Sequence, residues 1–121
     1  MAKKAGFRLG VYMCKDLEII DFAAPYGVFS VARRFDPELD AFFVAESMRP
    51  IQAQAGFTVI PNYAFADQPD MDAFLIPGGF GTRQEVNNGR LHAFIRGLPE
   101  KTLLVITAAS VSTGRRARAR S

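Results

Sequence analysis

The residues best placed to do chemistry are Gly78 and Gly79, which follow the apolar run Ala73-Phe74-Leu75-Ile76 and then Pro77. An apolar run of that length reads as a buried strand, and two glycines behind it let the backbone come close to a ligand. Pro77 biases the residue before it toward extended backbone, so the strand ends there and a pocket can begin. The bland alternative is a tight turn with no ligand. Asp21 is a second candidate. It precedes a helical pattern, where an aspartate is either a helix N-cap or a site acid. Ser112 stands in Ser110-Val111-Ser112-Thr113-Gly114. A serine nucleophile needs an adjacent base, and none lies near it in the sequence. The only histidine, His92, falls on the surface of a helical pattern, and Cys14 falls in a strand-like run where it reads as a small buried hydrophobe.

The elements that must position these residues follow from periodicity and from turn residues. Residues 7–14 form a β-rich run suited to a central strand. Asp21 is expected to cap a helix carrying Val28, Phe29, Ala32 and Phe35, with Pro25 in its first turn. A second strand is expected over 41–45, a small hairpin or extended arm around Gly56 over 51–60, and a loop over 63–72 with one helical turn at most. After the glycines, Leu91, Phe94, Ile95 and Leu98 have helical spacing within 82–98, bent at Asn87-Asn88-Gly89, and 102–107 reads as another buried strand. Strands alternating with helices argue for a parallel sheet. Phe42, Phe43, Phe74 and Phe94 are core in this reading.

A chain of 121 residues, 49% hydrophobic and 22% charged, fits one domain with a modest core. Its net charge of +3 does not indicate a nucleic-acid partner. Arg115, Arg116, Arg118 and Arg120 put +4 at the very end, so residues 1 to 114 carry −1. With one cysteine there is no internal disulfide and no multi-cysteine zinc site, which suits a reducing cytoplasm. No signal peptide or membrane span is visible, and neither a metal nor a cofactor is expected.

Taken together, the first strand, then Leu17-Glu18-Ile19-Ile20-Asp21-Phe22-Ala23-Ala24-Pro25 with Val28-Phe29, then Ala73-Phe74-Leu75-Ile76-Pro77-Gly78-Gly79, then Ser110 to Gly114, resemble in order the DJ-1/PfpI family of the class I glutamine-amidotransferase-like superfamily. Asp21 followed closely by Pro25 looks most like the isonitrile hydratase branch and the sensor domains of AraC-type regulators. The resemblance implies a flavodoxin-like parallel-sheet sandwich, a homodimer, and a small-molecule substrate or ligand. It also implies a cysteine thiolate on a strand-to-helix elbow, with Asp21 as the acid beside it and the Gly78-Gly79 backbone as the oxyanion-stabilising turn.

The sequence departs from the family at the nucleophile. Ser112 stands where the family pattern has cysteine, and an ungapped register puts Ala108 there instead. The domain is expected to run over 1–114 as the N-terminal part of the family fold, truncated before the second half of the sheet, with 115–121 a basic disordered tail. The tail has the character of out-of-frame translation of GC-rich DNA, with the reading frame expected to be lost after Val105. Three readings follow: an enzyme of the isonitrile hydratase or hydrolase kind, with Asp21 managing the proton, which fits an in-frame parent better than this chain; a ligand-sensing domain with no catalysis; and a truncated, inactive fragment whose open sheet edge recruits a partner or aggregates.

Overall fold

The computed structural model describes residues 6–77 and 88–106; Gly78, Gly79, Ala108 and Ser112 lie outside them, as do the expected elbow and tail. β1 (Phe7–Tyr12), β2 (Leu39–Ala45), β5 (Tyr63–Ala64), β6 (Ala73–Ile76) and β7 (Leu103–Ile106) form one sheet in the order β5-β2-β1-β6-β7. Every pairing in it is parallel. α1 (Ile19–Ala32) connects β1 to β2, and α2 (Gly89–Arg96) precedes β7. The expected parallel α/β sheet is therefore the observed one.

β1 lies at the centre because both of its faces are apolar and both of its edges are paired. Val11, opposite Phe43 on β2, turns toward α1, where Phe22 meets Phe43 edge-on at 5.9 Å and Tyr26 stacks on it at 4.4 Å. Gly10 and Tyr12 turn to the other face. There Tyr12 meets Phe74 at 6.1 Å and Phe65 at 6.0 Å, and Phe65 stacks on Phe94 of α2 at 4.2 Å. Gly10 sits between Phe42 and Phe74 in register. A Cβ on it would lie 2.1 Å from Met71 Sδ, so the missing side chain is the space that Met71 fills. The four phenylalanines expected in the core belong to it, Phe42 and Phe74 fully and Phe43 and Phe94 in part.

The hairpin expected around Gly56 is present. β3 (Ile51–Gln52) pairs antiparallel with β4 (Thr58–Val59) across a short 3-10 turn, Gln54–Gly56. The segment read as a loop contains β5, a two-residue strand added beside β2 and too short to show periodicity.

Three expectations need correction. α1 begins at Ile19, so Asp21 lies in its first turn and the cap position belongs to Glu18, which makes no side-chain capping bond. What fixes this end is apolar: Leu17 before the cap and Phe22 in the second turn occupy the positions of a hydrophobic staple, and both are buried. The earlier start moves Pro25 into the helix interior, where it has no N–H to give the Asp21 carbonyl four residues back. Second, Val28 and Phe35 do not pack on the sheet. They are 65% and 86% exposed, while Phe22, Tyr26 and Phe29 face inward. Third, β7 is not buried: Leu103 and Ile106 are 60% and 62% exposed, because β6 pairs on one side of it and no strand among the described residues pairs on the other.

Candidate functional site

In an open parallel sheet, a crevice forms outside the carboxyl ends of the strands where successive connections leave in opposite directions. Here the chain leaves β1 for β2 on one side, and leaves β6 for β7 on the other. The crevice therefore lies between the ends of β1 and β6. Tyr12, Met13 and Cys14 lead out of β1 into it, and Ile76 and Pro77 lead out of β6. Gly78 and Gly79 follow at once in the sequence.

The path from β1 to Asp21 is held by the hairpin. Asp16 takes a left-handed conformation (φ 67°), which aspartate tolerates better than most residues, and turns the chain away from the strand. Its N–H donates to Gln52 O at 2.9 Å, and its carbonyl accepts from Gln54 Nε2 at 2.9 Å. Gln54 N–H donates to Leu17 O at 2.9 Å. β3 and the 3-10 turn after it thus clamp the loop that sets where α1 begins, and with it the position of Asp21.

Asp21 is half-buried, and its carboxyl makes no hydrogen bond or ion pair among the described residues. Burial pushes its pKa above the ordinary 3.8, and the charge of Glu18 adds to the effect. The first turn of a helix would pull a carboxylate the other way, since the positive end of the helix dipole favours the ionised form. The raised value comes from burial first and from the charge of Glu18 second.

A cavity of about 180 Å³ opens beside the end of β1, lined by Tyr12, Met13, Cys14, Ala45, Glu46 and Arg49 among others. Asp21 is not part of its wall. Glu46, directly after β2, is fixed by a hydrogen bond from Asn88 Nδ2 and by Arg90 at 3.4 Å. Asn88 in turn caps α2, its Oδ1 accepting from the N–H groups of Arg90 at 2.9 Å and Leu91 at 3.2 Å. One carboxylate at the end of β2 therefore anchors the start of α2 across the sheet edge. Sequence reasoning did not single out Glu46, Asn88 or Arg49. The signal available was position alone, since Glu46 directly follows a strand-like apolar run, where ligand-facing residues of parallel sheets occur.

Of the sequence candidates, the structure places Asp21 in the first turn of α1. Cys14 is buried, 7% exposed, and His92 is on the exposed side of α2, each in the setting expected of it. Among the described residues, no group of three or more His, Cys, Asp or Glu gathers to hold a metal ion. No helix among them is long and apolar enough to cross a membrane.

A scan against protein-family models finds no match, and a search of the curated proteins finds none either. Solved structures do match. A ThiJ/PfpI family protein from Pseudomonas syringae aligns over 75% of this chain and 37% of its own, at 22% identity and a TM-score of 0.67. Schizosaccharomyces pombe DJ-1 aligns over 84% of this chain and 57% of its own, at 16% identity and a TM-score of 0.65. A protein from Vibrio parahaemolyticus, provisionally named a transcriptional regulator, aligns over 86% and 57%, at 16% identity and a TM-score of 0.70. The chain thus spans between 37% and 57% of the length of these three structures. It has the flavodoxin-like α/β fold found in DJ-1/PfpI proteins over the part that it covers.

Proposed function

We propose that the chain is a DJ-1/PfpI-type domain over residues 1 to 114, related to isonitrile hydratases or similar cysteine-dependent hydratases and hydrolases, and itself without cysteine catalysis. The observation that carries this reading is the place of its one thiol. Cys14 is the only cysteine in the sequence, and it sits buried at the end of β1 rather than after β7, where the resemblance calls for the nucleophile. Asp21, half-buried and with its pKa raised by burial, matches the acid that the resemblance implies, and the sequence has no cysteine other than Cys14 to be its thiolate. Ser112 does not replace the thiol, because a serine needs a base and the single histidine lies on α2. Gly78 and Gly79 would remain a ligand-facing turn. A small molecule is the partner, with neither a nucleic acid nor a membrane involved; a reduced Cys14 suits a cytoplasmic setting, and a homodimer is the assembly.

The reaction to test is isonitrile hydration, in which R–N≡C and H2O give R–NH–CHO. The intact chain is incubated with a small isonitrile and the formamide is followed by proton NMR. The expected result is no formamide above the buffer blank. Formamide that disappears in Asp21→Asn would overturn the proposal.

A second reading is a ligand-sensing domain. The likeness to the Vibrio protein favours it, as does the cavity beside β1, where Arg49 offers a cation to a small anionic ligand. Small carboxylates that raise the unfolding temperature and shift the NMR resonances of Tyr12 and Cys14, with no chemical change to the ligand, would support it.

A further inference from the structure

The outer edge of β7 carries none of the features that keep sheet edges from pairing. Its residues are Leu-Leu-Val-Ile, with no charge and no proline, in unbroken register with β6. Leu103, Leu104 and Ile106 are 60%, 41% and 62% exposed. The ladder to β6 fixes which backbone groups remain on the open side. Leu103 N–H donates to Asp72 O at 2.9 Å, so Leu103 faces β6. The N–H and C=O of one strand residue point to the same edge, and the edge alternates from residue to residue. Val105 therefore faces β6 as well, while Leu104 and Ile106 turn their backbone groups outward, where no strand among the described residues meets them.

These groups select both an occupant and a register. We infer that β7 pairs antiparallel with β7 of a second copy of this chain, about a two-fold axis through Leu104. Outward residues bond only to outward residues, so the hydrogen-bonded pairs must be drawn from Thr102, Leu104 and Ile106. Setting Leu104 against Leu104 of the other copy overlaps all of them. Each Leu104 N–H then donates to the Leu104 carbonyl opposite, and each Ile106 N–H donates to the Thr102 carbonyl opposite. Thr102 N–H, already donated to Pro99 O at 3.0 Å, is not needed. Leu103 opposes Val105 of the other copy. The axis stands perpendicular to the sheet, so each face continues on its own side. Val105 is in register with Leu75 and Val11 on the α1 side, and Leu104 with Phe74 and Gly10 on the α2 side, so both apolar layers run on through the contact. Glu100 and Lys101 of the two copies fall at opposite ends of the ladder, and like charges do not meet. The overlap, residues 102–106, is about 17 Å long, small for a stable interface, so the dimer dissociates at micromolar concentrations.

The contact depends on none of the function proposed above. Amide exchange of the intact chain, followed by NMR at rising concentration, tests it. Exchange at Leu104 and Ile106 should slow several-fold between tens of micromolar and millimolar protein, while Leu103 and Val105, already bonded to β6, should change far less. Sedimentation equilibrium should show monomer passing to dimer over the same range. Leu104→Lys and Leu104→Glu should each stay monomeric, and an equimolar mixture of the two should dimerise, because the axis sets residue 104 of one copy against residue 104 of the other. Exchange at Leu104 and Ile106 that does not respond to concentration would overturn the contact, whether the edge is bare or covered by another part of the chain. A dimer that survives both single variants would overturn it too. A mixture that stays monomeric, with each variant keeping the wild-type circular dichroism, would overturn the axis at Leu104.

Discussion

β6 and β7 are four-residue strands of almost the same composition, Ala-Phe-Leu-Ile and Leu-Leu-Val-Ile, paired with each other in parallel. Every residue of β6 is buried, and Phe74 is wholly so; β7 is largely open to solvent. The difference does not lie in the residues. β6 has β1 on its far side and aromatic side chains over its face, whereas β7 has β6 on one side and no strand among the described residues on the other. Apolar character makes a strand, and neighbours decide whether it is core.

The comparison is sharpest in stability. Phe74→Ala should cost about 3–5 kcal/mol, enough to unfold a domain of ordinary marginal stability, whereas Leu103→Ala should cost about 0.5 kcal/mol. Urea titration followed by circular dichroism measures both. Equal losses would break the contrast and mean that β7 is covered in solution. Gly10→Ala probes the packed side again. The new methyl must displace Met71 in a filled interior, and a loss of about 1–3 kcal/mol is expected in the same titration.

Between these extremes lies the anchor at the sheet edge. Asn88→Ala removes the cap of α2 and the bond to Glu46, and should cost about 1 kcal/mol in the same titration, with faster amide exchange at Arg90 and Leu91. Unchanged exchange there would separate the start of α2 from β2.

The smallest effect concerns Asp21, whose site is neither core nor open edge. Its carboxyl pKa is raised in the folded protein, so the fold binds that proton more tightly than the unfolded chain does. The stabilisation is full below the unfolded value, near the ordinary 3.8, falls as pH rises toward the folded pKa, and is gone above it. Asp21→Asn should therefore flatten part of the stability–pH curve just above pH 3.8 and be no less stable than the wild type at neutral pH. A variant that is less stable at neutral pH would mean that the ionised carboxylate is favoured in the fold.

Much of this was legible in the sequence, for identifiable reasons. The strand runs ending at Cys14, Ala45 and Ile76, and the helix stripe through Leu91, Phe94 and Ile95, carry enough apolar periodicity to declare themselves, although Leu98 of the same pattern lies just past the end of α2. The β3–β4 hairpin declares itself through Gly56. The start of α1 does not, because the strongest capping residue in the stretch, Asp21, is not the cap: the buried pair Leu17 and Phe22 sets the helix end, and tertiary packing overrides local preference. The two faces of α1 defeat periodicity altogether, since a stripe that includes Val28 looks the same whether it meets the sheet or leaves it. Asp21 could be singled out as a candidate from its position after the first strand. Glu46 and Asn88 could not be paired, because their 42-residue separation is closed only by the sheet.

The proposed role of Asp21 as an acid requires that burial and Glu18 hold its carboxyl pKa above the ordinary value despite its place at a helix start. A carbon-detected NMR titration of the Asp21 side-chain carboxyl in the intact chain tests it most directly. A midpoint clearly above the ordinary 3.8 is the result this account predicts. A midpoint at or below 3.8, as the helix dipole alone would give, would contradict it and reduce Asp21 to a residue that helps begin α1.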